Sequence, residues 1–154
     1  MAVAPIPKGY HTVTAYLITN DAAKAIEFYT KAFGAQELFR FPMPDGKIGH
    51  AEIRIGDSNV MLADAMEGFR DPHAFGGTPV SFMVYVPDVD KIFSQAIAAG
   101  ATQVRPVENQ FYGDRTGTLT DPFGHVWSIA THVEDVSPEE MNARHEKYMA
   151  EQNK

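Results

Sequence analysis

Gly113-Asp114-Arg115-Thr116-Gly117-Thr118-Leu119-Thr120-Asp121-Pro122-Phe123-Gly124-His125-Val126-Trp127-Ser128-Ile129-Ala130 reads as strand, tight turn, strand. Asp121-Pro122-Phe123-Gly124 is a four-residue turn with Pro at its second position. Beyond it, alternation sends Val126, Ser128 and Ala130 to one face and His125, Trp127 and Ile129 to the other. The stretch is either a hairpin that completes a sheet or a hairpin with one face lining a pocket. Asp114, Arg115 and Thr118 are polar enough to keep the second reading open.

Upstream of this hairpin the chain reads as one pattern written twice. Thr12 to Thr19 alternates, with Val13, Ala15 and Leu17 on one face and Thr12, Thr14 and Tyr16 on the other. Asn20 and Asp21 cap a helix expected over 22–33, with Ala22, Ala25, Ile26, Tyr29 and Phe33 at helical spacing and Gly34 as its stop. Strands follow over 36–41, 48–55 and 59–63. The second copy has a strand at 81–86 and a helix opened by Pro87-Asp88, with Val89, Ile92, Phe93 and Ala96 as its buried stripe and Gly100 as its stop. A short strand around Val104 and the Asp121 hairpin complete it. Aligning Gly34 with Gly100 also aligns Ile26 with Ile92 and Ala35 with Ala101. Two copies about 66 residues apart imply internal pseudo-two-fold symmetry, not a repeat array.

The expected division is a lead-in at 1–9, a βαβββ unit at 10–63, a connector at 64–79, a second unit at 80–132 and a helical tail at 133–154. The fold class is α+β, in one structural domain. Ser137-Pro138-Glu139-Glu140 is a capping box that opens the tail helix, expected to reach about residue 152 as a surface arm or subunit contact.

Composition narrows the function. The 154 residues are 44% hydrophobic, enough for a proper core. Thirteen basic against 20 acidic residues give a net charge of -7, which argues against nucleic acid or an anionic membrane and is compatible with a cationic small molecule. With no Cys, disulfides and thiolate chemistry are excluded, and a cytoplasmic location is expected. No apolar run is long enough to span a bilayer.

Asp21-Ala22-Ala23-Lys24-Ala25-Ile26-Glu27-Phe28-Tyr29, Phe33-Gly34-Ala35 and Asp121-Pro122-Phe123-Gly124-His125 together resemble the vicinal oxygen chelate superfamily of glyoxalases, bleomycin-resistance proteins and extradiol dioxygenases. The likeness spans about residues 12–132. It is nearest to an uncharacterised branch sometimes found beside phosphonate genes. It implies two βαβββ units whose sheets form cups, and a homodimer. Family enzymes place one metal ligand on each of four strands. Mapped here, those positions are Thr14, Met61, Ser81 and Ser128. Hydroxyls and a thioether are poor donors for a divalent metal that needs imidazole or carboxylate. No cofactor is therefore expected, a divalent metal elsewhere in the cup being the alternative.

His50 and Glu52 share the strand face opposite Ala51, Ile53 and Ile55. They are candidates for an acid–base pair or a displaced metal site; the plainer reading is a hydrogen-bonded pair with Arg54 balancing Glu52. Asp114 and Arg115, beside Phe111 and Tyr112, either grip a polar ligand under an aromatic lid or pin their own loop. Tyr16 is a pocket aromatic. Met66 and Phe69 in the connector read as lid or subunit packing. The candidate ligand-binding set is thus Thr14, Tyr16, Met61, Ser81, Tyr112, Asp114, Arg115 and Ser128, with His50 and Glu52 as candidate catalytic residues. The expected activity is small-molecule binding without the usual metal; the alternative is a glyoxalase-like lyase or isomerase centred on His50 and Glu52.

Overall fold

The computed structural model describes residues 3–153. The first unit runs β1 (Tyr16–Thr19), α1 (Ala22–Phe33), β2 (Gln36–Pro42), β3 (Ile48–Ile55) and β4 (Ser58–Asp64). The connector carries one short helical turn, α2 (Pro72–Phe75). The second unit runs β5 (Ser81–Tyr85), α3 (Val89–Ala99), β6 (Thr102–Asn109), β7 (Asp114–Thr120) and β8 (Val126–His132), and the tail helix is α4 (Pro138–Gln152). The sheets are ordered β1-β4-β3-β2 and β5-β8-β7-β6, so each unit repeats the other's topology. The α+β architecture of two βαβββ units stands as the sequence implies.

The helix boundaries follow from their caps. Asp21 and Asp88 accept hydrogen bonds from Lys24 N and Lys91 N, and Gly34 ends α1 in the left-handed region at φ 66°. Helix α1 has 12 residues and α3 has 11. Strands β1 and β4 align with β5 and β8 at one residue more than the glycine stops do, whereas β2 and β3 align with β6 and β7 at the glycine spacing. By that offset Asp64 corresponds to Thr131, and both do the same work. Asp64 accepts the N–H of Ala22 at 2.8 Å, and Thr131 Oγ1 accepts that of Val89 at 2.9 Å, each at a helix start.

Three expectations need correction. Strand β1 begins at Tyr16, and Val13 is 87% exposed. Extending the parallel register back from the Tyr16–Met61 pair would set Val13 against Ser58, where β4 begins, so no partner strand lies before it. Strand β6 has eight residues and is not short; Pro106 sits inside it without cost because β6 is an edge strand. The connector is not all loop, since it holds α2 and a Met66–Phe69 bridge.

One core serves both units. Leu17, Tyr29, Ile53 and Leu62 of the first and Val89, Leu119, Trp127 and Ile129 of the second are buried in it. Asp121 joins the halves: its carboxylate accepts from the Tyr29 hydroxyl (2.6 Å), Trp127 Nε1 (2.9 Å), Phe123 N (2.9 Å) and His125 N (3.0 Å). Burial and the neighbouring Asp121 push the Tyr29 phenol well above its usual range. His125 Nε2 also lies 2.9 Å from the Ile18 carbonyl on the free edge of β1. Since a carbonyl only accepts, that nitrogen carries the proton. The Asp-Pro turn is thus both a hairpin and the link between units.

Candidate functional site

The register of the first sheet sets Tyr16, Met61, Glu52 and Phe39 in one row across β1, β4, β3 and β2. Phe41 pairs with His50. Because Ala51, Ile53 and Ile55 are buried against α1, parity leaves His50 and Glu52 on the open face, the cup.

Within this cup three side chains form a chain of hydrogen bonds. The Tyr16 hydroxyl lies 2.7 Å from His50 Nδ1, and His50 Nε2 lies 3.1 Å from Glu52 Oε1. An ionised carboxylate only accepts, so Nε2 carries a proton; the neutral ring then accepts at Nδ1, and Tyr16 donates to it. The Tyr16 oxygen consequently offers only lone pairs to the cup. Glu52 is 8% exposed, and its burial raises its carboxyl above the ordinary glutamate range. Burial raises the Tyr16 phenol as well, further above the neutral range in which a phenol is already protonated. Phe39 and Phe41 flank the imidazole, with ring centroids 5.8 and 6.3 Å from it. The arrangement can hold a polar group of a ligand at one oxygen inside an aromatic surround, and it can carry a proton between phenol and carboxylate. Phe39 and Phe41 are absent from the sequence-based set, although their spacing of two places them on one strand face.

The second cup is built differently. Met83, Ser128, Thr118 and Arg105 form its equivalent row. Thr118 and Ser128 hydroxyls lie 3.0 Å apart. Asp114, 5% exposed, receives the Tyr85 hydroxyl at 2.8 Å on one oxygen, and the other lies 2.7 Å from His132 Nδ1. The far nitrogen of His132 meets Asp135 at 2.9 Å. These carboxylates hold the imidazole above its ordinary pKa. Neither His132 nor Tyr85 is in the sequence-based set. Their parity on the ends of β8 and β5 is the signal that could have found them.

Asp114 and Arg115 are not brought together. They are neighbours on β7, so alternation points them to opposite faces. Arg115 reaches α3, where it pairs with both oxygens of Asp90 at 2.8 Å, and it also donates to Asn109. Neither reading of an Asp114–Arg115 unit describes it. Tyr112 lies edge-on to Phe111, and Phe111 is covered by Tyr148 and His145 of α4. The tail is therefore docked on the β6–β7 hairpin, where Arg144 donates to the Phe111 carbonyl; it also pairs with Glu134 beyond β8 and with Glu140 of α4 itself.

The four positions mapped to metal ligands do not converge. Met61 lies in the first cup, Ser128 in the second, Ser81 opens β5 and Thr14 precedes β1 in the groove between the units. Their donor chemistry does not fit a divalent metal, and among the described residues no group of three His, Cys, Asp or Glu is placed to hold one. Among the described residues, no helix is long and apolar enough to cross a membrane.

Comparison with known proteins places this geometry. An uncharacterised protein of Mycobacterium tuberculosis (strain ATCC 25618 / H37Rv) is 48% identical over 133 residues, covering 83% of this chain and 78% of that protein. The crystal structure of TioX from Micromonospora sp. ML1 superposes with a TM-score of 0.63 at 29% identity, over 82% of this chain and all of the other (100%). A glyoxalase/bleomycin resistance protein/dioxygenase family enzyme from Burkholderia phytofirmans PsJN matches with a TM-score of 0.62 at 25% identity, over 78% of this chain and 97% of the other. The family model of the Glyoxalase/Bleomycin resistance protein/Dioxygenase superfamily matches residues 10–129, from before β1 into β8, and the chain belongs to that superfamily.

Proposed function

We propose that the protein binds a small molecule in the cup of its first sheet, without the metal site usual in its superfamily. The observation that carries this reading is the Tyr16–His50–Glu52 chain of hydrogen bonds, set among Phe39, Phe41 and Met61 where the usual ligand positions lack metal donors. Ligand sites are mostly apolar with a few placed polar groups, and this cup has that make-up. Neither Glu52 nor Asp114 faces the cups unpaired, so a cationic ligand has less support here than net charge alone gives it. The experiment is chelation. Thermal stability after chelator treatment should match that of untreated protein, and a fall of several degrees restored by Ni, Zn or Mn would overturn the reading.

A second reading, a lyase or isomerase, has one specific support: the bonded chain can act as a base. A ligand proton passes to the Tyr16 oxygen as the Tyr16 proton passes to His50 Nδ1 and the Nε2 proton to Glu52, leaving a carboxylic acid. The raised pKa of Glu52 favours that last transfer. Return of the proton to a different ligand atom completes an isomerisation. Ligand that gains deuterium from D2O only with active protein would establish this reading; ligand recovered unlabelled would leave binding alone.

A cytoplasmic homodimer belongs to the same proposal. The absence of Cys supports the location. Phe41 (62% exposed) and Tyr85 (62% exposed), each on an open cup face, support a second copy closing the cups. Light scattering should give twice the 17.0 kDa chain mass at micromolar concentration, and a single-chain mass at every concentration would reject the dimer.

A further inference from the structure

Beside the hydrogen-bonded chain the first cup continues into a half-open slot of about 190 Å³, lined by Tyr16, Ile18, Gly49, Ala63, Met66 and Phe69. Ile18 and Ala63 are register partners on β1 and β4. Met66 and Phe69 come from the connector, where reciprocal backbone hydrogen bonds of 3.0 and 2.9 Å hold them as a clip. The connector thus supplies a wall of the cup. No lining residue is charged, and the Tyr16 hydroxyl is the only side-chain hydrogen-bonding group apart from the Met66 thioether.

We infer that this slot is the specificity subsite of the cup and takes a compact, uncharged six-membered ring, or a group of that size, bearing one hydrogen-bond donor. The inference deepens the binding reading above and rests on it. Size comes from the volume: an apolar cavity of about 150 Å³ accepts benzene, so one ring fits and two fused rings do not. Neutrality comes from the lining, since a charge buried there would meet no counter-charge. The donor comes from the Tyr16 oxygen. Its own proton is committed to His50 Nδ1, so it has only lone pairs left to offer. A ligand acceptor placed there would face an acceptor.

Phenol, toluene and 2-naphthol separate these requirements. They are titrated into the millimolar range against the full-length protein, with ligand and protein NMR shifts as the readout. Phenol should saturate, toluene of the same size should bind at least tenfold more weakly, and 2-naphthol should not saturate. Tyr16→Phe should erase the preference of phenol over toluene while leaving toluene binding in place. Ala63→Leu should abolish phenol binding by filling the slot. Because Ala63 is buried, Phe69→Ala at an exposed position provides the variant that leaves the core untouched, and it should weaken phenol several-fold. No phenol binding to the wild type, equal affinities for phenol and toluene, or equally tight 2-naphthol would each overturn the inference. Phenol binding that survives Ala63→Leu and Phe69→Ala but is lost in Glu52→Gln rejects the slot and leaves the cup reading intact. Phenol held in the slot while a screened cup ligand neither competes with it nor responds to Glu52→Gln rejects the cup reading and keeps the slot.

Discussion

The two cups use the same kinds of side chain, a tyrosine, a histidine and a carboxylate, in different order. In the first, imidazole stands between phenol and carboxylate, so the chain has an open oxygen at one end and a buried acid at the other. In the second, the carboxylate of Asp114 stands in the middle and takes one partner on each side. A central acceptor ends the path. It draws three strands together, because Tyr85, Asp114 and His132 belong to β5, β7 and β8. Order alone therefore separates a chain that ends on a free oxygen from a carboxylate that fastens a sheet.

Substitutions in each cup should have opposite effects. Glu52→Gln should weaken a cup ligand found by screening about tenfold, because the ionised carboxylate fixes the His50 tautomer that takes the Tyr16 proton and leaves the phenol oxygen free as an acceptor. Stability should hold, because the raised pKa of Glu52 means that ionising it costs the fold. That penalty is absent below the ordinary glutamate value of 4.5 and complete above the folded value, and Gln removes it. Glu146→Gln is the surface control, and equal affinities for the two variants would remove Glu52 from the site.

Asp114→Ala should do the reverse. Losing the shared acceptor should cost about 1–2 kcal/mol in denaturant unfolding, with affinity for the same ligand within twofold. A large loss of affinity with stability intact would place the second cup in the binding site and undo the contrast.

The smallest effect sharpens the comparison through pH. His132 has a raised pKa in the fold, so its stabilisation is complete below the unfolded value near 6.5 and is lost as pH rises through the folded value. His132→Asn should therefore lower the unfolding midpoint at pH 6 more than at pH 8.5. A constant difference across that range would show that the ring acts through packing alone.

How much of this could be read from the chain depends on distance along it. Helix α1, its cap at Asp21 and its stop at Gly34 are local matters, and the residues 22–33 expected are those observed. The shared face of His50 and Glu52 follows from period two within one strand. Arg115 shows where the reading fails: taken as part of a loop, it could sit beside Asp114, but as the second residue of β7 it cannot. The His132–Asp114 pair lies across a hairpin, and Tyr85 enters from a parallel neighbour. Those contacts depend on how β7, β8 and β5 are set against one another, which no local pattern specifies. Phe39 and Phe41 escape for a related reason. Their edge strand is exposed along most of its length, so neither residue carries a burial signal.

The Asp121 link has a consequence for the molecule as an object that can be cut. Tyr29 and Asp121 are 92 positions apart, yet their bond is buried and is shared with Trp127. A break in the connector at Gly76–Gly77 would leave two fragments, each carrying half of this arrangement. The Tyr29 fragment alone would strand a hydroxyl without its acceptor, and the Asp121 fragment would expose the face that α1 covers. Neither half is a finished protein, but each is the other's missing template. Cut there, the chain should act as a complementing pair, and new termini should be best tolerated where the connector runs over the surface.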